Sequence, residues 1–422
     1  MLLKMAIRNV RRNKRRSFLA VLSVMLSLTL VVFLQGLVEG MVDNMIRNGT
    51  RNDSGHIRII TKMYAENIRY YPVQYMVLQP NRLKEKLLSH SRWAKEIEFA
   101  TFRIRFPVLL QYEGNNKAAF GLGGDYQVEK NLLFLEKAII SGRYLSGKVV
   151  EKKNHKYREV IIGKKMADIL KIGVGDTFSV MLQGSDYGIR IPRFLVVGIF
   201  QTGLNMMDEN IFQMDIKDAM EILRTDGGVQ EILVFLKDYK KAPALAKEIQ
   251  SWLESQDEWK DVVAIPWNRA GGIVSMLEQI LPIYNLIYLV VTFLGMIIIT
   301  NIMMMIVLER RREIGILKAM GLKPREILIL FLYEGLILGI VGSVSGILMG
   351  VLISWPLSVW GIDFSSSLSS MNLPLDPVIH WKITGKSVLS SLVLGLIVAT
   401  GVSLFPSRIA AKMKPVDAIR SV

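Results

Sequence analysis

Residues 328–353, LILFLYEGLILGIVGSVSGILMGVLI, form an apolar run with one charged side chain, Glu334. A helix needs about 20 predominantly apolar residues to cross the hydrocarbon core of a bilayer. This run is long enough to do so. It decides the fold class, because it makes the chain an integral membrane protein.

Three further stretches meet the same criterion: residues 18–38, 280–308 and 388–404. The run at 280–308 is longer than a bilayer requires, so we expect it to tilt or to project as a stalk. We predict an α-helical membrane protein with four transmembrane helices plus a large extracytoplasmic α+β domain inserted between helices 1 and 2. The predicted divisions are a basic amphipathic N-terminus at 1–17, spans at 18–40, 280–308, 328–355 and 387–405, the inserted domain at 41–279, a cytoplasmic loop at 309–327, an extracytoplasmic loop at 356–386 and a cytoplasmic tail at 406–422.

Basic residues set the predicted orientation, because short cytoplasmic flanks of membrane spans are enriched in Lys and Arg. The flanks predicted to be cytoplasmic contain Lys4, Arg8, Arg11, Arg12, Lys14, Arg15, Arg16, Arg310, Arg311, Arg312, Lys318, Lys323, Arg325, Arg408, Lys412, Lys414 and Arg420. The loop at 356–386 has only Lys382 and Lys386, beside two aspartates. Both termini and residues 309–327 are therefore predicted to be cytoplasmic, and residues 41–279 to lie on the far side.

The N-terminal segment before the first span has its own pattern. Leu3, Ala6, Ile7 and Val10 fall on one helical face and arginines on the other. This arrangement predicts an amphipathic helix on the inner leaflet. The alternative is a basic tail that only sets topology.

The composition fits a membrane protein with a sizeable soluble part. Of 422 residues, 51% are hydrophobic and 21% are charged, and the mean hydropathy is +0.32. The net charge of +16 could indicate nucleic-acid binding, but the basic residues cluster beside apolar spans and indicate membrane orientation instead. Cysteine is absent, which excludes disulfides and thiolate metal sites, and the four scattered histidines match no ligand spacing. We expect no metal site.

The predicted domain mixes strand and helix periodicities. Strands are predicted at 56–61, 193–200, 231–236 and 261–265, a hairpin at 99–122 around residues 113–116, and helices at 164–170, 215–224 and 242–254. Interspersed strands and helices indicate an α+β domain, which we predict to have two lobes.

Two segments carry a family pattern. Residues 300–321 read TNIMMMIVLERRREIGILKAMG, and residues 406–420 read PSRIAAKMKPVDAIR. The first closely resembles the exit of span two and the following loop in the FtsX/MacB/Lol superfamily of ABC permeases, and the second resembles that superfamily's C-terminal tail. Within the superfamily, FLVVGIFQTG at 194–203, after Gly175-Asp176-Thr177, resembles the lipoprotein-releasing (LolC/LolE-like) subunits.

The resemblance implies a non-catalytic permease subunit. A second permease subunit, as homodimer or heterodimer, would pair with it above a dimer of cytoplasmic ABC ATPase chains that hold ATP and magnesium. This chain has no G-x-x-x-x-G-K-[ST] motif and is expected to hold no cofactor. ATP hydrolysis would release lipoproteins from the outer leaflet of the bacterial inner membrane. The spans would contact membrane lipid, and the large domain would lie in the periplasm.

Three questions about function stay open at this point. A periplasmic carrier is an uncertain partner, because the connection at 183–193 is shorter than the hairpin of the chaperone-recruiting Lol subunit. One alternative function is MacB-like export of peptides or drugs. Another is FtsX-like mechanotransmission to a cell-wall hydrolase.

The resemblance also assigns the segment that contacts the ATPase. Its residues are Glu309, Arg310, Arg312, Glu313, Ile314, Gly315, Ile316, Leu317, Lys318 and Gly321. Ile314, Ile316 and Leu317 are predicted to form a compact apolar patch for a partner groove, and Gly315 to allow close helix approach. From charge alone, a topology anchor with a short interfacial helix is equally compatible.

Side chains inside the spans have predicted roles as well. A helical stripe on span one is the candidate substrate cleft, or else faces lipid: Leu22, Met25, Leu26, Thr29 and Phe33. Small residues allow backbones to approach closely, so we expect helix packing at Gly339, Gly342, Gly346 and Gly350. Glu334 lies nearly two turns inside span three, where a charge is costly, so it should be paired, protonated or snorkelling; a proton relay is a further interpretation.

Overall fold

The computed structural model describes residues 2–152, 155–203, 205–271, 282–290, 293, 297, 300, 301, 304, 305, 307–364 and 378–412. The chain divides into two compact units. The membrane unit comprises Met1–Asn44, Gln279–Asp363 and Val378–Val422, and the domain unit comprises Met45–Glu278 and Phe364–Pro377.

The membrane unit is built from three long helices and two short ones in the described part of the chain. They are α1 (Leu2–Arg12), α2 (Lys14–Gly49, which continues into the domain unit), α10 (Arg311–Ala319), α11 (Pro324–Trp360) and α12 (Gly385–Lys412). Among the residues that the structure describes, three stretches are long and apolar enough to cross a membrane: Ser17–Ser54, Pro324–Trp360 and Gly385–Lys412. They contain three of the four predicted spans.

The remaining predicted segments fall partly outside the described residues. Of the predicted span at 280–308, residues 282–290 are helical, and most of the rest lies outside the described part of the chain. The same holds for residues 365–377 of the predicted loop at 356–386 and for residues 413–422 of the tail. The linker between α11 and α12 contains two short paired strands, β13 (Ile362–Asp363) and β14 (Val378–Ile379).

Helix α11 packs against both α2 and α12, and glycines line each of its two contact surfaces. A Cβ added at Gly342 would lie 2.5 Å from Val24 Cβ, and one at Gly346 would lie 2.7 Å from the Met25 carbonyl oxygen, both on α2. Gly350 meets α2 in the same way, whereas Gly339 approaches Ala399 of α12 at 2.5 Å. Glycine at these positions lets both neighbours approach the α11 backbone.

The domain unit carries the remaining elements. Its helices are α3 (Lys62–Asn67), α4 (Pro80–Ser89), α5 (Tyr126–Leu132), α6 (Lys164–Leu170), α7 (Asn205–Asn210), α8 (Ile216–Leu223) and α9 (Ala242–Glu254). Its strands are β1 (Ile57–Thr61), β2 (Ile97–Tyr112), β3 (Asn115–Gly124), β4 (Ile139–Gly142), β5 (Val149–Lys152), β6 (His155–Gly163), β7 (Thr177–Gln183), β8 (Ile189–Arg190), β9 (Arg193–Phe200), β10 (Ile211–Asp215), β11 (Glu231–Leu236) and β12 (Val262–Pro266).

All twelve of these strands belong to one sheet, in the order β12-β1-β11-β2-β3-β10-β6-β9-β7-β8 with β4 on β9 and β5 on β6. An additional pairing of β2 with β7, from Leu109↔Met181 to Gln111↔Ser179, closes a ring of six strands. Where two lobes were predicted, the domain thus has one continuous sheet. In the described residues its apolar core consists of one large cluster and two smaller ones, of which one includes Leu135, Ile161 and Phe200 and the other Leu132, Leu233 and Phe235.

The predicted hairpin is confirmed, with a tighter turn than expected. β2 and β3 pair from Arg103↔Gly124 to Tyr112↔Asn115, which leaves only Glu113 and Gly114 in the turn. Both have positive φ, 47° and 82°. Two-residue turns with positive φ at both positions match the twist of the flanking strands.

Buried arginines hold the segment that follows α2. Arg103, fully buried, donates to both carboxylate oxygens of Glu129 at 2.9 Å and to the Asn52 carbonyl at 3.1 Å. Arg105 donates to Asp53 at 2.6 Å. Arg58 also lies 3.0 Å from the same carboxylate oxygen of Asp53, so two arginines hold this carboxylate.

We predict that Gly346→Leu destabilises the membrane unit, because the new side chain would collide with the α2 backbone at Met25. Overpacking of this kind costs about 1–3 kcal/mol. The melting temperature of the full chain in detergent should fall. Gly401→Leu is the matched control, since a Cβ there meets nothing within 4 Å. Equal melting temperatures for the two variants would contradict the assigned contact.

Candidate functional site

Three segments of the membrane unit meet at a buried polar junction formed by Asn9, Arg310 and Glu334. The Arg310 guanidinium lies 3.0 Å from Glu334 Oε1, and the side chains are 6% and 5% exposed. Asn9 Nδ2 donates to the same carboxylate oxygen at 2.7 Å, and Arg310 donates to the Asn9 carbonyl at 3.2 Å. The junction thus connects α1, the residue before α10, and α11.

The junction shows how the Glu334 carboxylate is accommodated inside an apolar run: it is paired with Arg310 and accepts a hydrogen bond from Asn9. Of the possibilities predicted for Glu334, the structure has the paired one. A buried pair is only a modest source of net stability, but removal of one partner leaves an uncompensated charge. The arrangement therefore fixes the relative positions of the three segments.

The short helix α10 contains most of the predicted contact segment, and one face of it is turned inward. Ile314 is 1% exposed and packs in a cluster with Val307, Ile327, Phe331 and Ala410. Gly315 is also buried within this chain. Ile314 therefore fills the space between α10, α11 and α12, and of the predicted apolar patch Ile316 and Leu317 are the residues still accessible to a partner.

The opposite face of α10 is open. Arg312 and Ile316 on α10, and Met320 directly after its last residue, are spaced four residues apart and exposed, with Ile316 at 46% and Met320 at 66%. Residues at this spacing share one helix face. The result is a short stripe of one cation and two large apolar side chains, with half-buried Leu317 beside it.

The other predicted contact residues have separate environments. Glu313 is exposed and pairs with Arg12 of α1, while Arg310 belongs to the buried junction. Lys318 Nζ donates to the Ala411 carbonyl of α12 at 2.5 Å, and burial lowers its pKa. Glu309 and Gly321 are exposed, and Gly321, with φ 96°, follows the end of α10.

The predicted cleft stripe on α2 does not lie on a single open face. Leu26 is 57% exposed, whereas Leu22 and Met25 are half-buried. Thr29 donates to the Gly346 carbonyl at 3.1 Å, and the Phe33 ring lies 5.5 Å from that of Trp381. Thr29 and Phe33, two of the five residues of the stripe, therefore contact other parts of this membrane unit.

Sequence reasoning missed Asn9. Its contribution depends on a contact across 325 positions of sequence, and a single asparagine in a basic segment gives no signal of it. The signal in the sequence was Glu334 itself, because a single carboxylate within an apolar run indicates that a partner exists elsewhere in the chain.

Comparison with known proteins identifies the class. The family described as FtsX-like permease C-terminal matches residues 285–415, and the MacB-like periplasmic core domain matches residues 17–252. The second match alone covers more than half of the chain. The chain therefore belongs to the FtsX-like and MacB-like family of ABC transporter permeases.

The chain is also similar to particular proteins and to a solved structure. The lipoprotein-releasing system transmembrane protein LolC of Xylella fastidiosa is 26% identical over 274 residues, which span 62% of this chain and 64% of LolC. The macrolide export ATP-binding/permease protein MacB of Campylobacter jejuni is 24% identical over 230 residues, or 54% of this chain and 34% of MacB. The crystal structure of the periplasmic region of MacB from Actinobacillus actinomycetemcomitans aligns with a TM-score of 0.36 at 13% identity, covering 54% of this chain and 92% of that one.

We predict that Arg310→Met lowers the free energy of unfolding by about 3–5 kcal/mol, because Glu334 is left buried without its cation. Replacing both residues, Arg310→Met with Glu334→Met, should recover much of this loss. Denaturant unfolding of the full chain in detergent measures both effects. Arg311→Met, at the exposed neighbour, is the control and should cost less than about 0.5 kcal/mol. If Arg310→Met and Arg311→Met are equally stable, the junction has no energetic role.

Proposed function

We propose that this chain is the permease subunit of an ABC complex in which a separate ATPase drives release of lipoproteins from the outer leaflet of the bacterial inner membrane. The observation that carries the proposal is the attachment of α10 to α11. One face of α10 is anchored by Ile314 and by the adjacent Arg310–Glu334 pair. The other presents Arg312 and Ile316, with exposed Met320 directly after the helix. Family membership supports the permease role, and the similarity to LolC supports the lipoprotein cargo.

The anchored helix is suited to transmit movement. A partner that binds the exposed stripe and shifts α10 also shifts α11 and α1, because the buried pair and the Ile314 cluster resist separation. We propose that the cytoplasmic ATPase dimer, with its ATP and magnesium, is that partner. This chain supplies no bond chemistry.

The proposed assembly places four spans in the inner membrane. The fourth span is the 280–308 segment, and the large α+β domain lies in the periplasm. A second permease subunit, identical or related, pairs with this chain. The span-one residues Leu22, Met25 and Leu26 are the part of the predicted stripe available to line a cleft for acyl chains.

The energetics explain why such a machine needs ATP. Each acyl CH₂ held in the membrane contributes about 0.8 kcal/mol, so a lipoprotein with long acyl chains does not leave spontaneously. Release requires an apolar receiver together with an external source of free energy. A permease that couples an ATPase to a periplasmic domain provides the external source of free energy.

Export of peptides or drugs is the second candidate function. The match of the MacB-like periplasmic core domain to residues 17–252 favours it. A mechanical role of the FtsX type would use the same anchored helix without any cargo. The nature of the cargo separates these functions.

We predict that residues 309–323 and the domain face opposite sides of the membrane. The chain has no native cysteine, so single cysteines report cleanly on topology. Tyr187→Cys in the domain and Met320→Cys after α10 are matched probes, each replacing a side chain that is 66% exposed. A membrane-impermeant maleimide should label the first in spheroplasts and the second only after lysis. Labelling of both positions in intact spheroplasts would contradict the proposed topology.

We predict that Ile316→Asp combined with Met320→Asp abolishes coupling, because an apolar contact is replaced by two carboxylates. The full chain is co-purified and reconstituted with its ATPase and partner subunit, and release of a triacylated lipoprotein is measured. The variant should lose the ATPase during purification and release cargo at least about tenfold more slowly.

Leu78→Asp, which alters a 63%-exposed leucine of the domain unit, is the control and should leave release unchanged. Normal ATPase retention and release by the α10 variant would rule out its coupling role. A cargo protein without its lipid-bearing cysteine tests the substrate class separately. If the wild-type complex releases acylated and unacylated cargo at equal rates, lipoprotein release is ruled out and export becomes the proposed function.

A further inference from the structure

A cavity of about 710 Å³ lies in the domain unit, apart from the α10 site. Its wall is formed by the C-terminal end of α2 with the turn that follows, by α4 and α5, and by the adjoining ends of β2 and β11. Cavities that bind small molecules typically have volumes of about 300–1,000 Å³. This one is large enough for a head group with several carbons of an acyl chain.

The floor of the cavity is aromatic and uncharged. The Phe99 and Phe235 rings stack at 4.7 Å, and the His56 ring lies 5.2 Å from Phe235. His56 Nδ1 accepts a hydrogen bond from the Leu236 backbone N–H at 2.8 Å, which fixes the ring. Burial lowers the pKa of His56 to about 4, so the imidazole is neutral at pH 7.

The rim carries an excess of positive charge. Arg47, Arg51, Lys84 and Lys237 line the cavity together with one carboxylate, Glu98. The Arg51 guanidinium lies 4.9 Å from the centroid of the Phe134 ring, and the Lys84 ammonium lies 5.1 Å from that of Phe102. Contacts between cations and ring faces orient these side chains.

We propose that this cavity binds an anionic amphiphile, with a phosphate or carboxylate head at the cationic rim and the first carbons of its chain on the aromatic floor. Charge complementarity selects the head, because four cations and one carboxylate are among the residues that line the cavity. The aromatic floor selects an apolar extension over a free anion. Bilayer lipid is the source, since Arg47 and Arg51 lie on and just beyond the same helix that contains the first predicted span. The site does not depend on which cargo the complex moves.

The test uses the delipidated full chain in an uncharged detergent, with binding followed by native mass spectrometry. The probes are lysophosphatidylglycerol, zwitterionic lysophosphatidylcholine and glycerol 3-phosphate, which lacks the chain. The anionic lysolipid should bind most tightly. Lys84→Gln with Lys237→Gln should weaken its binding about tenfold and leave the zwitterionic lipid unaffected. Lys217→Gln with Lys247→Gln, two exposed lysines elsewhere on the domain, is the matched control.

A second variant tests the volume of the cavity without touching its charges. Leu88→Trp places a large side chain at the wall and should displace the anionic lysolipid, whereas Leu78→Trp at an exposed position outside the cavity should not. Unchanged binding in both the rim variant and the Leu88→Trp variant would overturn the assignment. If glycerol 3-phosphate binds as tightly as lysophosphatidylglycerol, the cavity is a simple anion site and not an amphiphile site. If the two lysolipids bind with equal affinity, the cationic rim does not select an anionic head, and the proposal is overturned.

Discussion

Close contact between helix backbones holds the membrane unit together. Lipid tails are as apolar as leucine, so helices in a bilayer gain little from burying apolar surface and depend on packing and buried polar contacts. Helix α11 provides both: its glycines admit α2 on one strip and α12 on another, and its Glu334 receives Arg310. Because Ile314 packs on the first turns of α11, the position of α10 also depends on this helix.

Much of the architecture could be predicted from local patterns. Apolar runs of sufficient length indicated the helices now described as α2, α11 and α12, and alternation or helical spacing indicated β1, β9, β11 and α9 within one or two residues. The first helix is longer than its apolar run. Helix α2 continues to Gly49, and its last turns include the buried residues Met45 and Ile46 of the domain unit, an extension that hydropathy alone does not indicate.

Contacts between residues distant in sequence could not be predicted in the same way. The β2–β7 pairing depends on register between strands about seventy residues apart, and no local period encodes it. At the candidate site, the family pattern identified the segment but not the direction in which each side chain points. Ile314 and Ile316 are the same residue type two positions apart, yet one is buried and the other exposed, because the faces of α10 are defined by α11 and α12.

The ring of six strands in the domain has a consequence for solubility and self-association. A closed ring leaves its members few unpaired backbone groups, and open sheet edges are where proteins recruit extended chains or aggregate. In the described part of the domain, the strands paired on one side only are β4, β5, β8 and β12. Each has five residues or fewer, and β12 ends in a proline that cannot donate to a new neighbour. The described part of the domain thus offers extended chains almost no template for strand addition.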